Sequence, residues 1–226
     1  MRNPRVRDAP SFKICGVTRP ADARAAEAAG ASYVGANFVP SSPRLVDARV
    51  AATLAGAVSI PVVVVVADLG PREAAAMARA AGARGIQLHG VESPETVEAL
   101  RGEGAWELWK AVRVRSPFDV LGAFDRFGSL VDLLLLDAWH PAKLGGTGMA
   151  FDWKAVEAVR RDAPGGLRLG IAGGITPENV EEAVGLLEPD LVDVGSGVES
   201  APGEKDHDRI RELARRLRAG GRGRDG

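Results

Sequence analysis

Eight short apolar runs recur along the chain, separated by stretches in which alanine, leucine and charged residues alternate at helical spacing. The runs are FKICG (12–16), YVGANFV (33–39), VVVVVA (62–67), GIQLHG (85–90), LWKAVRV (108–114), LLLLDAW (133–139), LRLGIAGG (167–174) and LVDVGSG (191–197). Each has strand length, and most lack the alternation of a half-exposed strand, which predicts parallel strands covered on both faces. The helical patterns cover 22–30, 46–56, 71–82, 94–104, 151–162, 177–187 and 205–220, several ending in glycine as a helix stop. Ser93-Pro94 and Thr176-Pro177 each read as a capping hydroxyl followed by proline at the first helical position. A further helix is expected within 117–128, where the periodicity is poorest.

Strand and helix thus alternate eight times, and right-handed crossovers wind such a repeat into a closed (β/α)8 TIM barrel, an α/β fold in a single domain. An open doubly wound sheet is the competing architecture. No G-x-G-x-x-G follows the first run and no G-x-x-x-x-G-K-[ST] occurs, which favours the barrel. The barrel is expected over 12–218, after a flexible N-terminal extension at 1–11 and before a disordered glycine-rich tail at 219–226.

Composition narrows the partners. The length of 226 residues suits one barrel, and 46% apolar with 26% charged residues suits a large buried core. With 29 basic and 30 acidic side chains the net charge is −1, which argues against nucleic acid or anionic lipid as a partner. One cysteine cannot form an internal disulfide. No signal-peptide pattern or membrane-length apolar run is present, so a cytoplasmic location, no membrane association and a small-molecule ligand are expected.

In a barrel the chemistry sits at the carboxyl ends of the strands. Those ends carry Cys15, Asn37 with Arg44 in the loop beyond, Asp68, His89, Arg113, Asp137 with the GGTG loop at 145–148, Gly173-Gly174, and Gly195-Ser196-Gly197. Glycine pairs after the seventh and eighth strands suit a phosphate cradle of backbone N–H groups, with GSGVES supplying a short helix; tight turns are the plainer explanation of each pair. Asp137 closes a strongly apolar run, a place for a general acid or for a loop-capping carboxylate. Cys15 reads as a small buried hydrophobe or, facing the mouth, as a thiolate base stabilised by Arg19 and the helix start at Pro20. Arg44 suits bidentate capture of a carboxylate, or an exposed surface position. His89 and His140 lack metal-ligand spacing, so no metal is expected. Lys110 lies too early in its strand for the mouth, and a structural pairing is expected.

Taken together, KICGVTRP, SPR, QLHG, LLLDA followed by GGTGMAFDW, GIAGGITPENV and VDVGSGVESAPGEKD, in this order over about 12–217, closely resemble the phosphoribosylanthranilate isomerases of tryptophan biosynthesis. The resemblance implies an Amadori rearrangement of N-(5-phosphoribosyl)anthranilate without metal or organic cofactor. It further implies Asp137 as general acid, Cys15 as general base and Arg44 on the anthranilate carboxylate. Gly173, Gly174, Ser196 and Gly197 match the phosphate cradle, and His89, Gly146 and Gly148 complete the expected substrate-binding set. The partner is then a small phosphorylated sugar-amine, and the enzyme a monomer or homodimer. Ala36, Asn37 and Trp139 depart from the family's usual residues. A paralogue acting on another amino-phosphoribosyl substrate and a non-catalytic phosphosugar-binding barrel are the alternatives. Related phosphosugar barrels fit less well, because VVVVVAD offers no lysine and the strand ends offer no metal set.

Overall fold

The computed structural model describes residues 9–138 and 153–222. Eight parallel strands pair in chain order, and the last pairs with the first to close the barrel: β1 (Ser11–Ile14), β2 (Tyr33–Asn37), β3 (Val62–Val66), β4 (Gly85–Leu88), β5 (Glu107–Val114), β6 (Leu133–Ala138), β7 (Arg168–Ala172) and β8 (Leu191–Val194). Around them run α1 (Pro20–Ala29), α2 (Ala48–Ala57), α3 (Pro71–Ala80), α4 (Pro94–Arg101), α5 (Pro117–Phe127), α6 (Trp153–Arg160), α7 (Val180–Leu187) and α8 (His207–Arg222). After β8 come a single 3₁₀ turn (Ser196–Val198) and a small hairpin of β9 (Glu199–Ala201) and β10 (Glu204–Lys205). The closed barrel replaces the open-sheet alternative.

Helix starts follow their local chemistry. Proline opens α1, α3, α4 and α5, where its missing N–H costs nothing. The Ser93 hydroxyl accepts from the Thr96 N–H at 3.3 Å, as expected, and the expected helix within 117–128 is α5. At Thr176-Pro177 the α-helix begins later, at Val180. Thr176 caps a preliminary turn instead: its hydroxyl accepts from the Glu178 N–H (3.2 Å), while its own N–H donates to Asn179 Oδ1 (2.8 Å).

Strand parity divides the core in two. Phe12, Ile14, Val34, Ala36, Val62, Val64 and Val66 pack against the helices, whereas Val63, Trp109, Ala111, Leu133, Leu135, Ala172 and Leu191 fill the barrel interior. Ala36, one of the departures from the pattern of the resembled family, therefore faces the helical layer and not the mouth. The interior floor is polar: Glu107 accepts from Tyr33 Oη (3.2 Å), Trp109 Nε1 (3.1 Å) and Arg168 Nη2 (3.2 Å).

Above that floor lies Lys13, fully buried, its ammonium 2.8 Å from both Asp193 Oδ2 and Gln87 Oε1. Space for it comes from Gly35 on the neighbouring strand. A Cβ at position 35 would stand 2.7 Å from Lys13 Cε and 3.0 Å from Cys15 Sγ. Gly35→Ala is therefore expected to lower the unfolding free energy by about 1–3 kcal/mol, the usual cost of overpacking a fixed core. Urea denaturation checks this; an unchanged midpoint would show that Lys13 moves aside freely.

Candidate active site

Cys15 stands just past β1, its N–H donating to Val194 O at 2.8 Å, and its half-buried thiol lies on the interior face it shares with Lys13. Burial pushes the thiol above the ordinary cysteine range and the Asp193 carboxylate adds to this, while the ammonium groups of Lys13 and Lys205 oppose it. The expected thiolate stabiliser, Arg19, is engaged elsewhere, with Asp22 at 3.1 Å and Glu204 at 3.6 Å. The cations that act on Cys15 include Lys13 of β1, Lys205 of β10 and Arg44 of the loop after β2.

Arg44 already holds a carboxylate, that of Glu199, in a bidentate pair (Nε to Oε1 2.7 Å, Nη2 to Oε2 2.6 Å). Lys205 completes the cluster, donating to Glu199 Oε1 (2.7 Å) and to Gly195 O (3.0 Å). Burial works to raise the Glu199 carboxyl, but Arg44 and Lys205 prevail and hold it below its usual range. Arg44 reaches this place by crossing Gly16, whose φ of 68° and near-contact with the arginine stem (2.3 Å from an added Cβ to Cδ) exclude any larger residue. Arg44 is thus only part-buried and structurally paired, and not a free surface arginine.

On the opposite part of the rim, His89 Nε2 lies 3.1 Å from Asp137 Oδ2, and Gln87 Nε2 lies 2.9 Å from His89 Nδ1. Asp137 sits in register with Arg113 on β5 and Ala172 on β7, its side chain only partly exposed. Lys110 has the structural pairing expected of it: it is buried, donating to Gly90 O (2.9 Å) and Ala111 O (2.8 Å), with Glu92 Oε2 at 2.9 Å.

The two glycine segments do come together. Gly173 and Gly174 both take left-handed φ values, 83° and 66°, and an added Cβ on Gly197 would fall 1.9 Å from Ile175 O. Only glycine lets the turn after β8, which begins at Ser196, press against the loop after β7. Gly146, Gly148, Trp139 and His140 lie outside the described residues. Among the described residues no group of three or more His, Cys, Asp and Glu side chains is arranged to hold a metal ion, and no helix is long and apolar enough to cross a membrane.

Sequence reasoning missed Lys13, Gln87, Asp193, Glu199 and Lys205. For the first three a signal existed: each precedes a strand-end candidate by two residues, so it shares that candidate's face. Glu199 and Lys205 carry no such mark, because the hairpin that aims them follows no periodic rule.

A closed (β/α)8 barrel with its polar groups gathered at the carboxyl ends of the strands defines the class, a barrel enzyme. Residues 12–216 match the family described as N-(5'-phosphoribosyl)anthranilate (PRA) isomerase. The N-(5'-phosphoribosyl)anthranilate isomerase of Paracoccus denitrificans is 44% identical over 214 residues, covering 92% of this chain and 97% of its own. The phosphoribosyl anthranilate isomerase crystal structure from Thermotoga maritima superposes with a TM-score of 0.84 at 31% identity, over 93% of this chain and 99% of its own. Another solved isomerase, in complex with reduced 1-(o-carboxyphenylamino)-1-deoxyribulose 5-phosphate, gives a TM-score of 0.81 at 29% identity, over 93% and 99%. The chain belongs to the N-(5'-phosphoribosyl)anthranilate isomerase family, and it is an isomerase.

Because Cys15 is the only cysteine, its ionisation is directly readable. With the thiol pushed upward, the reactive thiolate is scarcer at neutral pH than in a free cysteine and accumulates only at higher pH. The rate of iodoacetamide alkylation of the ligand-free enzyme should keep climbing beyond the pH at which free cysteine levels off. A plateau below that pH would mean that Lys13 and Lys205 outweigh burial.

Proposed function

We propose that the barrel converts N-(5-phosphoribosyl)anthranilate into 1-(2-carboxyphenylamino)-1-deoxyribulose 5-phosphate in tryptophan biosynthesis, with Asp137 as general acid and Cys15 as general base. The observation that carries this reading is the pair itself: one carboxylate at the end of β6 and one thiol at the end of β1, both inside the rim, in unlike electrostatic surroundings.

In the first step Asp137 gives its proton to the furanose ring oxygen. The C1–O bond breaks as the amine nitrogen lone pair forms a C1=N bond, which yields the open-chain Schiff base. The Cys15 thiolate then takes the C2 proton, and the C2–H electrons form C1=C2 as the C=N pair returns to nitrogen. The resulting enolamine tautomerises to the ketose. A thiol of raised proton affinity is populated sparsely as thiolate but is a stronger base once formed, and Lys13 and Lys205 stand beside the charge it carries.

Arg44 receives the anthranilate carboxylate at its Nη1 side, beyond the edge that Glu199 occupies. The phosphate rests against Gly173, Gly174, Ser196 and Gly197, where the absence of a Cβ on Gly173 and Gly174 lets an anion reach backbone N–H groups. Gly146 and Gly148, in the GGTG segment that follows Asp137 in sequence, complete the substrate-binding set that the family resemblance implies.

The deciding assay follows the loss of phosphoribosylanthranilate fluorescence, the substrate being generated in situ from anthranilate and phosphoribosyl pyrophosphate. Cys15→Ala and Asp137→Asn are each expected to lower kcat by about 100-fold or more with unchanged circular dichroism. A rate within threefold of wild type in either variant removes that residue from its role. Arg44→Ala should instead raise KM by roughly 10- to 100-fold, the worth of a charge-assisted contact, with a smaller change in kcat. An unaltered KM would place the carboxylate elsewhere.

A further inference from the structure

Asp193, Lys13, Gln87, His89 and Asp137 form one unbroken polar chain across the barrel interior, each link at 2.8–3.1 Å. Hydrogen-bond chemistry fixes its direction from one end. An ammonium can only donate, so the Gln87 atom facing Lys13 is the carbonyl oxygen, Oε1. The Gln87 NH2 group must then face His89 and donate to Nδ1. Nδ1 is accordingly the unprotonated nitrogen, the single ring proton sits on Nε2, and it points at Asp137 Oδ2.

We propose that Gln87, itself oriented by Lys13, is a positioning residue of the isomerisation: it locks His89 in the neutral Nε2–H form and so assigns the acid proton of Asp137 to Oδ1. A proton on Oδ2 would oppose the imidazole N–H, so the acid form carries its proton on the other oxygen. When the Oδ1–H bond breaks and the proton passes to the substrate ring oxygen, the bonding pair stays on the carboxylate. The His89 N–H, already in place, stabilises the charge that forms there. His89, counted from sequence among substrate-binding residues, thus acts on the acid rather than on the substrate. This inference rests on the reading of Asp137 as the acid.

The test separates the two. Gln87→Glu keeps an acceptor for Lys13 but presents only acceptor oxygens to His89, so Nδ1 must gain a proton. Gln87→Met removes the donor without adding charge. In intact enzyme carrying 15N-labelled histidine, with His89 assigned through His89→Gln, the wild-type ring should show a protonated Nε2 and a bare Nδ1. Gln87→Glu should show a protonated Nδ1, and Gln87→Met a mixture of the two tautomers. Both variants should lose kcat by about tenfold or more while KM stays within threefold, as expected when an acid is misaligned and ground-state binding is spared. A wild-type ring protonated on Nδ1 overturns the lock, whatever Asp137 does. Variants that shift the tautomer without changing kcat overturn the positioning role, as do variants that lose kcat with the tautomer unmoved. If Gln87→Glu does not fold, Gln87→Met and the wild-type spectrum decide by the same criteria. Because the tautomer is read without turnover, failure of the acid assignment would appear only in Asp137→Asn.

Discussion

A lysine ammonium with no solvent exposure, Lys13, is the constraint around which the upper half of the barrel is arranged. Burying a charge is expensive unless it is paired and hydrogen-bonded, and removal of one partner of such a pair costs far more than the pair itself contributes. Lys13 meets the requirement with Asp193 on the adjoining strand and Gln87 across the interior, and its ammonium lies 5.6 Å from the Trp109 ring centre. The strand register that closes the barrel sets Lys13 beside Asp193, so the closure and the ion pair specify each other. Gly35 leaves the room, Cys15 inherits the electrostatics, and Gln87 takes its orientation.

The rim above is shaped by a second cluster, in which two cations from separate segments share one carboxylate. Glu199 joins Arg44 from the loop after β2 to Lys205 from β10, which ties the hairpin after β8 to the far side of the β1 strand end. Its two cations against one anion leave the cluster net positive. Arg44 held at both Nε and Nη2 cannot swing, so the remaining edge of its guanidinium is presented in a fixed direction. Such pre-organisation lowers the ordering cost of any anion that binds there, which is consistent with the carboxylate-binding role proposed for Arg44.

The barrel was legible because its signal is redundant: eight apolar runs and eight helical patterns constrain one another through topology, so the late start of α7 changes nothing above it. The rim residues were legible through position and family pattern, since Cys15, His89, Asp137 and the glycine pairs all lie at strand ends. What was not legible is what those residues touch. Arg19 sits four positions after Cys15 in sequence and reads as its natural cation, yet the backbone turns it to Asp22, while Lys205, 190 positions away, lies close enough to influence the thiol. Interior pairings such as Lys13 with Gln87 follow from barrel registers that no local pattern contains.

The same distinction bears on substrate choice. Three departures from the family pattern stand near the mouth in sequence; Trp139 lies outside the described residues, and the other two are engaged in the fold itself. Ala36 packs among the helix-facing side chains of β2, so an aromatic there would enlarge the outer core. Asn37 faces inward, but its Oδ1 accepts the Val39 N–H at 2.8 Å, and its backbone oxygen accepts from Val46 at 2.9 Å. The amide is spent in turning the chain toward Arg44, which is the work of a loop residue rather than of a pocket wall. A change of aglycone would have to be written in residues that face the substrate. Ala36 packs in the outer core and the Asn37 amide is engaged by its own loop, so neither departure argues against the isomerase activity of the family.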